Sequence, residues 1–318
     1  MSCNKNIYFA PLEGITGYLY RNAFQKAFNP EINKYFSPFI SPGPNQSLTN
    51  KELRDILPEN NKVINLIPQV LTNSASDFLS LSERLKDMGY EEININLGCP
   101  SGTVVSKKRG AGLLGEPEML ERMLDEIYSK TDLKISLKTR IGKDSAEEFP
   151  KLLEIYNKFP VYELIIHPRI RNDFYKGKPN REVFDSAVGK ANTRLCYNGD
   201  IFSKTDYENI CSTYPELESV MIGRGFLRNP MLYDCIISGV IPDKAKIREF
   251  HEYLMDEYSN YMSGERPVLF KMKEIWSYML DLFEDSEKAG KKIKKAISIA
   301  AYNDAVTQLF EVCEIKKY

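Results

Sequence analysis

The sequence is poor in histidine and lacks paired cysteines, long apolar runs and any excess of charge. It has two histidines, and its six cysteines include no C-x-x-C pair, so a metal centre built from clustered ligands is not expected. No stretch approaches the roughly 20 apolar residues that a membrane-spanning helix needs. The apolar run Ile7–Leu12 is too short for a signal peptide and is interrupted by Pro11. We therefore expect a cytoplasmic protein with no membrane segment and no metal.

Positive and negative charges are nearly balanced over the 318 residues. There are 43 lysines and arginines against 44 acidic residues, a net charge of −1, which excludes a protein that is basic over its whole surface. Nucleic acid could be bound only through a local basic patch. Hydrophobic residues make up 42% of the chain, enough for a real core.

Short apolar runs alternate with amphipathic helical patterns along the first 240 residues or so. Runs such as ELIIH and INLIPQV are apolar almost without alternation, which is typical of strands buried on both faces. The eight predicted strands are Ile7–Pro11, Lys34–Phe39, Val63–Val70, Glu92–Leu97, Lys134–Lys138, Glu163–His167, Arg194–Asn198 and Ser219–Ile222. Eight βα units predict a (β/α)8 barrel over residues 1–242. A doubly wound open sheet is the alternative, but no G-x-G-x-x-G follows the first strand.

The pattern changes after Ile241-Pro242, where no further strand-like run occurs. Three or four amphipathic helices predict a small helical domain over residues 243–318. Five lysines fall close together in it, at Lys288, Lys291, Lys292, Lys294 and Lys295.

Polar and unusual residues cluster where the predicted strands end. In a barrel these carboxyl ends meet at one mouth, where active sites lie. The clustered residues are Pro11, Leu12, Glu13, Gln69, Asn96, Cys99, Lys138, Arg140, His167, Arg169, Asn198, Gly199, Asp200, Gly223, Arg224 and Gly225. We therefore predict an active site at this mouth.

Three features of this cluster indicate its chemistry. The glycine loops after the last two strands, with Arg224, are typical of a phosphate site. Lys138 could form a Schiff base or hold charge against an anionic cofactor. Cys99, in a Gly-Cys-Pro turn, could act as a general acid or as a nucleophile. His167 is placed by its strand end at the same mouth.

Seven motifs in chain order give the sequence a family resemblance. They are FAPLEGIT, PQV, NINLGCPSGTVVSKKRGAGLLGEP, LKTRIG, IIHPR, YNGDI and IGRGFLRNP, from about residue 8 to residue 232. Together they resemble the tRNA-dihydrouridine synthases, and the Asn-Leu-Gly-Cys-Pro block is the most distinctive. A helical C-terminal domain that binds tRNA is also expected in that family.

The resemblance implies a flavin enzyme. These synthases bind FMN in the barrel mouth and reduce the C5=C6 bond of particular tRNA uridines, with NADPH or NADH as electron donor. Cys99 would protonate C5, and Asn96 would orient the uracil. The implied FMN contacts are Pro11, Leu12, Glu13, Gln69, Lys138, His167, Asn198, Gly199, Asp200, Gly223 and Arg224.

A tRNA substrate requires contacts beyond the flavin, because a stacked uracil must be flipped out of the RNA to reach a barrel mouth. The predicted RNA contacts are Lys107, Arg109 and Arg169, with Lys108, Arg171 and the lysines of 288–295 as further candidates. We expect a monomer.

Three other functions remain open at this stage. A flavin barrel enzyme acting on a free pyrimidine, similar to dihydroorotate dehydrogenase, would use the same cofactor. A Schiff-base aldolase would use Lys138 as its nucleophile. An RNA-binding protein that has lost its flavin would have no need of Cys99 and Lys138.

Overall fold

Among the residues that the structure describes, nine parallel strands form one sheet. The computed structural model describes residues 5–43 and 47–316. Within them the strands are β1 (Asn6–Phe9), β2 (Lys34–Phe36), β3 (Leu66–Ile67), β4 (Gln69–Val70), β5 (Glu92–Leu97), β6 (Lys134–Arg140), β7 (Leu164–His167), β8 (Leu195–Tyr197) and β9 (Ser219–Ile222). Their order is β3-β2-β1-β9-β8-β7-β6-β5-β4.

The two ends of this order are halves of one interrupted strand. β3 pairs with β2 through Tyr35 and Leu66, and β4 pairs with β5 through Gln69 and Asn94. Pro68 lies between the halves and has no N–H to donate, so the ladder breaks there. The interrupted strand therefore joins both ends of the sheet, and the predicted eight-stranded barrel is confirmed.

The strand bounds show where the sequence pattern was informative. The predictions for β5 and β9 agree with the structure at both ends. β6 runs to Arg140, two residues beyond the predicted end at Lys138, because Thr139 and Arg140 are buried despite their polarity.

Helices follow or separate the strands. They are α1 (Tyr18–Phe28), α2 (Asn50–Ile56), α3 (Ala75–Asp87), α4 (Gly102–Val105), α5 (Pro117–Lys130), α6 (Phe149–Tyr156), α7 (Arg181–Ala187), α8 (Lys204–Thr213), α9 (Arg224–Arg228), α10 (Leu232–Ser238), α11 (Lys244–Tyr261), α12 (Glu265–Met279), α13 (Glu287–Lys295) and α14 (Ile299–Val312). Local sequence explains their starts. The Ser74 side chain caps α3 by accepting a hydrogen bond from the Asp77 amide, and Pro117 occupies the first turn of α5.

The chain divides into two compact units. The barrel unit contains residues 5–11, 32–43, 47–200 and 214–221. The helical unit contains residues 12–31, 201–213 and 222–316. The predicted helical domain begins inside this second unit, and its boundary at residue 242 stays a prediction.

Charged side chains fill the amino-terminal end of the barrel. The Lys34 ammonium lies 2.7 Å from a Glu92 carboxylate oxygen and 3.1 Å from one of Glu163. Tyr8 and Ser219 donate hydrogen bonds to the other Glu163 oxygen, at 3.0 and 2.6 Å. A cavity of about 630 Å³ opens beside Lys34 and Glu92. In barrel enzymes this end serves stability and the opposite end serves chemistry.

An aromatic cluster forms the core of the helical unit. The Trp276 indole N–H donates to the Tyr302 oxygen at 2.8 Å, and His251 Nε2 lies 2.7 Å from the same hydroxyl. Burial, with a smaller effect of Arg248, lowers the pKa of His251 to about 3, so the imidazole is neutral. Phe310 packs edge-on against Trp276.

Two general features concern residues 5–43 and 47–316 only. No helix there has the length and apolarity that crossing a bilayer requires. No group of three or more histidine, cysteine or acidic side chains is placed to hold a metal ion.

Candidate active site

Three buried amide side chains lie side by side on β4 and β5, and Asn96 is the one nearest the carboxyl end of β5. The Gln69 amide donates to Asn94 Oδ1 at 2.8 Å and accepts from the Asn96 amide at 2.7 Å. Asn94 in turn donates to the Ser136 hydroxyl at 2.9 Å. These bonds fix the Gln69 side chain, one of the implied FMN contacts, and they occupy one of its two amide hydrogens. The other has no acceptor among the described residues, and Gln69 as a whole is 0% exposed.

Asn94 was missed by the sequence analysis. It stands two residues before Asn96 on β5, and residues at this spacing point to the same face of a strand. That spacing was the signal that could have found it.

The turn that carries Cys99 is held from two sides. Asn96 Oδ1 accepts hydrogen bonds from the Gly98 and Cys99 amides at 3.0 and 2.9 Å. The Arg140 guanidinium donates to the Gly98 carbonyl at 2.9 Å. These bonds fix the backbone of the turn, and Cys99 itself is half-buried, so the residue is partly open to solvent. A partly accessible thiol on a fixed turn can exchange a proton with a bound substrate.

Lys138 lies on the strand next to this turn. It is the register partner of Asn96 in the β5–β6 pair, so it stands at the same end of the barrel as Cys99. Burial, with a smaller effect of the Arg140 charge, lowers the pKa of Lys138 to about 8. No described residue accepts a hydrogen bond from its ammonium. The ammonium could therefore interact with an electron-rich group of a ligand. This unmatched charge fits the electron-rich end of a flavin ring.

A second cluster joins the carboxyl ends of β7 and β8. Arg169 binds Asp200 through two hydrogen bonds of 2.6 and 3.2 Å and approaches His167 Nε2 at 2.9 Å. A guanidinium can only donate, so this His167 nitrogen accepts and the ring proton lies on Nδ1. Arg169 is 1% exposed. Arg169 was predicted to contact RNA, but a side chain buried to this extent has no surface that RNA could reach. It positions His167 and Asp200 instead.

The loop after β8 has a packing reason for its glycine. A Cβ on Gly199 would lie 2.1 Å from the Tyr197 hydroxyl oxygen, so any larger residue would displace that ring. Asn198 donates to the Met221 carbonyl at 2.8 Å, which ties the loop to β9. The glycine is thus required by the fold whether or not its amide meets a phosphate.

The remaining predicted residues fall in both units. Pro11 closes the first barrel segment, whereas Leu12, Glu13, Gly223 and Arg224 belong to the helical unit. Gly223 directly precedes α9, and the Arg224 guanidinium lies 5.5 Å from the centre of the Phe202 ring.

The basic segment after Cys99 is only partly free. Lys107 is exposed, whereas Arg109 is half-buried. Arg109 donates to the Ser41 hydroxyl at 3.0 Å and to Asn73 at 3.3 Å. Lys107 is therefore the more accessible of the two predicted RNA contacts.

Comparison with known families identifies the chain. The sequence model described as dihydrouridine synthase matches residues 8–313. The chain belongs to the dihydrouridine synthase family. The resemblance seen in the motifs is thus confirmed, and the match extends through the helices that follow the barrel.

Two curated relatives share about a quarter of their aligned residues with this chain. It is 26% identical to a probable tRNA-dihydrouridine synthase of Staphylococcus epidermidis over 234 residues, 71% of this chain and 70% of that protein. It is 25% identical to tRNA-dihydrouridine synthase B of Pasteurella multocida over 228 residues, 71% of this chain and 67% of that protein.

Solved structures resemble this chain in fold. Morphinone reductase in complex with tetrahydroNAD matches 75% of this chain and 88% of its own with a TM-score of 0.54 at 9% identity. A variant of NCR from Zymomonas mobilis matches 77% of this chain and 90% of its own with a TM-score of 0.51 at 12% identity. Both support the barrel.

Proposed function

We propose that this protein is an FMN-dependent reductase that converts specific uridines of tRNA to 5,6-dihydrouridine, with NADPH or NADH as electron donor. The observation that supports this most strongly is the placement of Lys138 on β6 beside the turn that carries Cys99 after β5, at one end of the barrel, in a chain of the dihydrouridine synthase family. A thiol on a fixed turn and an unmatched cation suit the reduction of an activated double bond.

The flavin would be held by residues at and just after the strand ends. When bound and reduced, a flavin supplies the hydride that the reaction needs. Lys138 offers its ammonium to the electron-rich ring, and Gln69 offers its remaining amide hydrogen. The other proposed FMN contacts are Pro11, Leu12, Glu13, His167, Asn198, Gly199, Asp200, Gly223 and Arg224.

Cys99 is the proposed proton donor to the uracil C5 carbon. Asn96 and Arg140 hold its turn, so the thiol does not have to be ordered when substrate arrives. The thiol loses its proton to C5 and regains one from solvent, which its half-buried position permits. Asn96 and the exposed Lys107 would contact the RNA, and the helical domain of residues 243–318 would bind the body of the tRNA.

One other function has an observation in its favour. The pKa of Lys138, lowered to about 8, is also what a Schiff-base lysine needs. Family membership supports the reductase instead. The aldolase would be favoured if the purified protein were colourless and borohydride trapped a carbonyl substrate covalently on Lys138.

The Cys99→Ala variant tests the proton-donor role. It should bind flavin as the wild type does and lose on the order of 100-fold or more of the rate of dihydrouridine formation, because general acid catalysis supplies about that much. The measurement is dihydrouridine formed in an unmodified tRNA transcript, by mass spectrometry. Cys235→Ala is the matched control, since Cys235 is also half-buried and lies in the helical unit. A Cys99→Ala rate close to that of the wild type would remove the acid role.

A further inference from the structure

The loop between β7 and α7 exposes two neighbouring aromatic rings. We name residues 171–178 the β7–α7 loop. Phe174 is 44% exposed and Tyr175 is 49% exposed. Exposed rings contribute little burial to folding, and two adjacent ones on a loop often mark a binding surface. The loop begins four residues after the carboxyl end of β7, so it borders the proposed active site.

Two buried arginines hold the backbone of this loop from below. Arg140 donates to the carbonyls of Ile170 and Phe174 at 2.8 and 2.7 Å. Arg169 donates to those of Lys176 and Gly177, at 3.1 and 2.6 Å. Both arginines are 1% exposed. The backbone is therefore fixed at both ends of the aromatic pair, and no ordering is needed on binding.

Phe174 has an unfavourable backbone conformation. Its φ is +49° and its ψ is −99°, a region that glycine adopts freely and residues with a Cβ rarely do. The Phe174 ring is 44% exposed and lies 5.6 Å from the Arg171 guanidinium, so burial offsets little of this strain. A strained, exposed aromatic side chain on a rigid loop suggests a contact made outside the protein.

Unpaired cations flank the rings. Lys176 and Lys178 are exposed and form no ion pair within the described chain. Asp173, the one acidic residue of the loop, accepts a hydrogen bond from the Ile170 amide at 3.0 Å. Aromatic rings beside free cations are the usual surface for an unpaired nucleic-acid strand, on which bases stack and phosphates are neutralised.

The loop is also linked to the reacting residues. The Tyr175 ring lies 6.0 Å from the His167 ring at an angle of 25°, and the Arg140 guanidinium lies 5.4 Å from the centre of the Tyr175 ring. Arg140 is the same residue that holds the Cys99 turn through Gly98. A nucleotide on this loop would therefore lie next to the uridine being reduced.

We propose that the β7–α7 loop is a stacking platform for an unpaired nucleotide that neighbours the target uridine. The Phe174 ring stacks on the base, Tyr175 forms the side of the platform towards His167, and Lys176 and Lys178 contact the phosphates. The platform helps to keep the flipped conformation of the RNA. The proposal rests on the proposed function, because it takes tRNA as the substrate.

Substitutions at Phe174 test the platform in the flavin-bound enzyme. Phe174→Ala should weaken binding of an unmodified tRNA transcript by roughly five- to 150-fold, the range for loss of one base–aromatic stack. Phe174→Tyr should bind within about threefold of the wild type, because it keeps a stacking ring. Fluorescence anisotropy gives the affinity, and dihydrouridine formation gives KM and kcat.

Phe174→Gly separates binding from folding. Glycine accepts the positive φ without strain, so the thermal midpoint of this variant should equal or exceed that of Phe174→Ala. Its tRNA affinity should fall as far as that of Phe174→Ala. Val63→Ala is the control, since Val63 is 67% exposed and precedes β3 at the opposite end of the barrel.

The outcomes distinguish this proposal from the proposed function. A wild type that reduces tRNA and a Phe174→Ala variant that binds it within twofold of the wild type would overturn the platform alone. A wild type that neither binds nor reduces tRNA would overturn the proposed function and the platform with it. Loss of affinity in Phe174→Ala and Phe174→Gly, with Val63→Ala unchanged, supports the platform.

Discussion

Lys138 carries a charge that the folded protein does not favour. Its folded pKa of about 8 lies below the ordinary 10.5, so the unfolded chain binds more protons between these values. At neutral pH the desolvated ammonium therefore reduces the stability of the fold. The arrangement is reasonable if the charge is needed for a ligand, since functional groups are commonly retained at the expense of stability.

The Lys138→Met variant tests this balance. It should retain less flavin on purification, because the cation facing the ring is lost. In flavin-depleted protein, its thermal midpoint at neutral pH should be at least that of the wild type. As pH rises from 8 towards 10.5, the wild type should gain stability relative to the variant, because its lysine deprotonates.

Lys134→Met on the same strand is the comparison, since Lys134 is exposed at the amino-terminal end of β6. Full flavin content in Lys138→Met would show that Lys138 does not hold the cofactor. A stability difference between wild type and variant that is constant across pH would show that the Lys138 ammonium is solvated in the fold.

Single residues were predictable from the sequence where a turn or a strand end marked them. Cys99 and Lys138 were predicted to lie at the barrel mouth because each ends or follows an apolar run, and the structure places them at the same end of the barrel. The position of Arg169 inside the protein was not predictable, because its partner Asp200 is 31 residues away in the sequence. The exposure of Phe174 depends in the same way on tertiary contacts that hold the loop.

At the scale of elements, α11 and α14 bury the neutral His251 between them. Its folded pKa is about 3 and its ordinary value is 6.5, so between these values the unfolded chain binds a proton that the folded chain does not. The stability due to this group is therefore present above pH 6.5 and is lost as pH falls towards 3. The slope is at most about 1.4 kcal/mol per pH unit.

The His251→Gln variant tests this element-level prediction. The amide can still bond the Tyr302 hydroxyl but does not titrate. The free energy of unfolding in urea, compared at neutral pH and at about pH 5, should fall less in the variant than in the wild type. Parallel losses in the two proteins would show that His251 is already solvated in the fold.

The positions of the strands in the sequence were predicted better than the residues at which the strands begin and end. β5 agreed at both bounds because all six residues are buried and apolar residues alternate with buried amides. The region Val63–Val70 was predicted as one strand, and Pro68 divides it in two. β6 extends through Arg140 because tertiary hydrogen bonds satisfy a guanidinium that the sequence suggested would lie in a loop.

At the scale of the whole molecule, the barrel was predictable by counting. Eight apolar runs separated by helical patterns left few alternatives, and the interrupted strand closes the ring that this count implied. The division into units was not predictable in the same way. The helical unit takes in residues 12–31 and 201–213, which the chain order places among the barrel elements.

The central claim is that this protein reduces uridines in tRNA and needs Cys99 to do so. Site-resolved mapping of dihydrouridine in tRNA from cells lacking the gene tests it directly, with the gene restored as wild type or as Cys99→Ala. We expect dihydrouridine to disappear from at least one position, to return with the wild type and to stay absent or scarce with Cys99→Ala. An unchanged dihydrouridine map in cells without the gene would contradict the account.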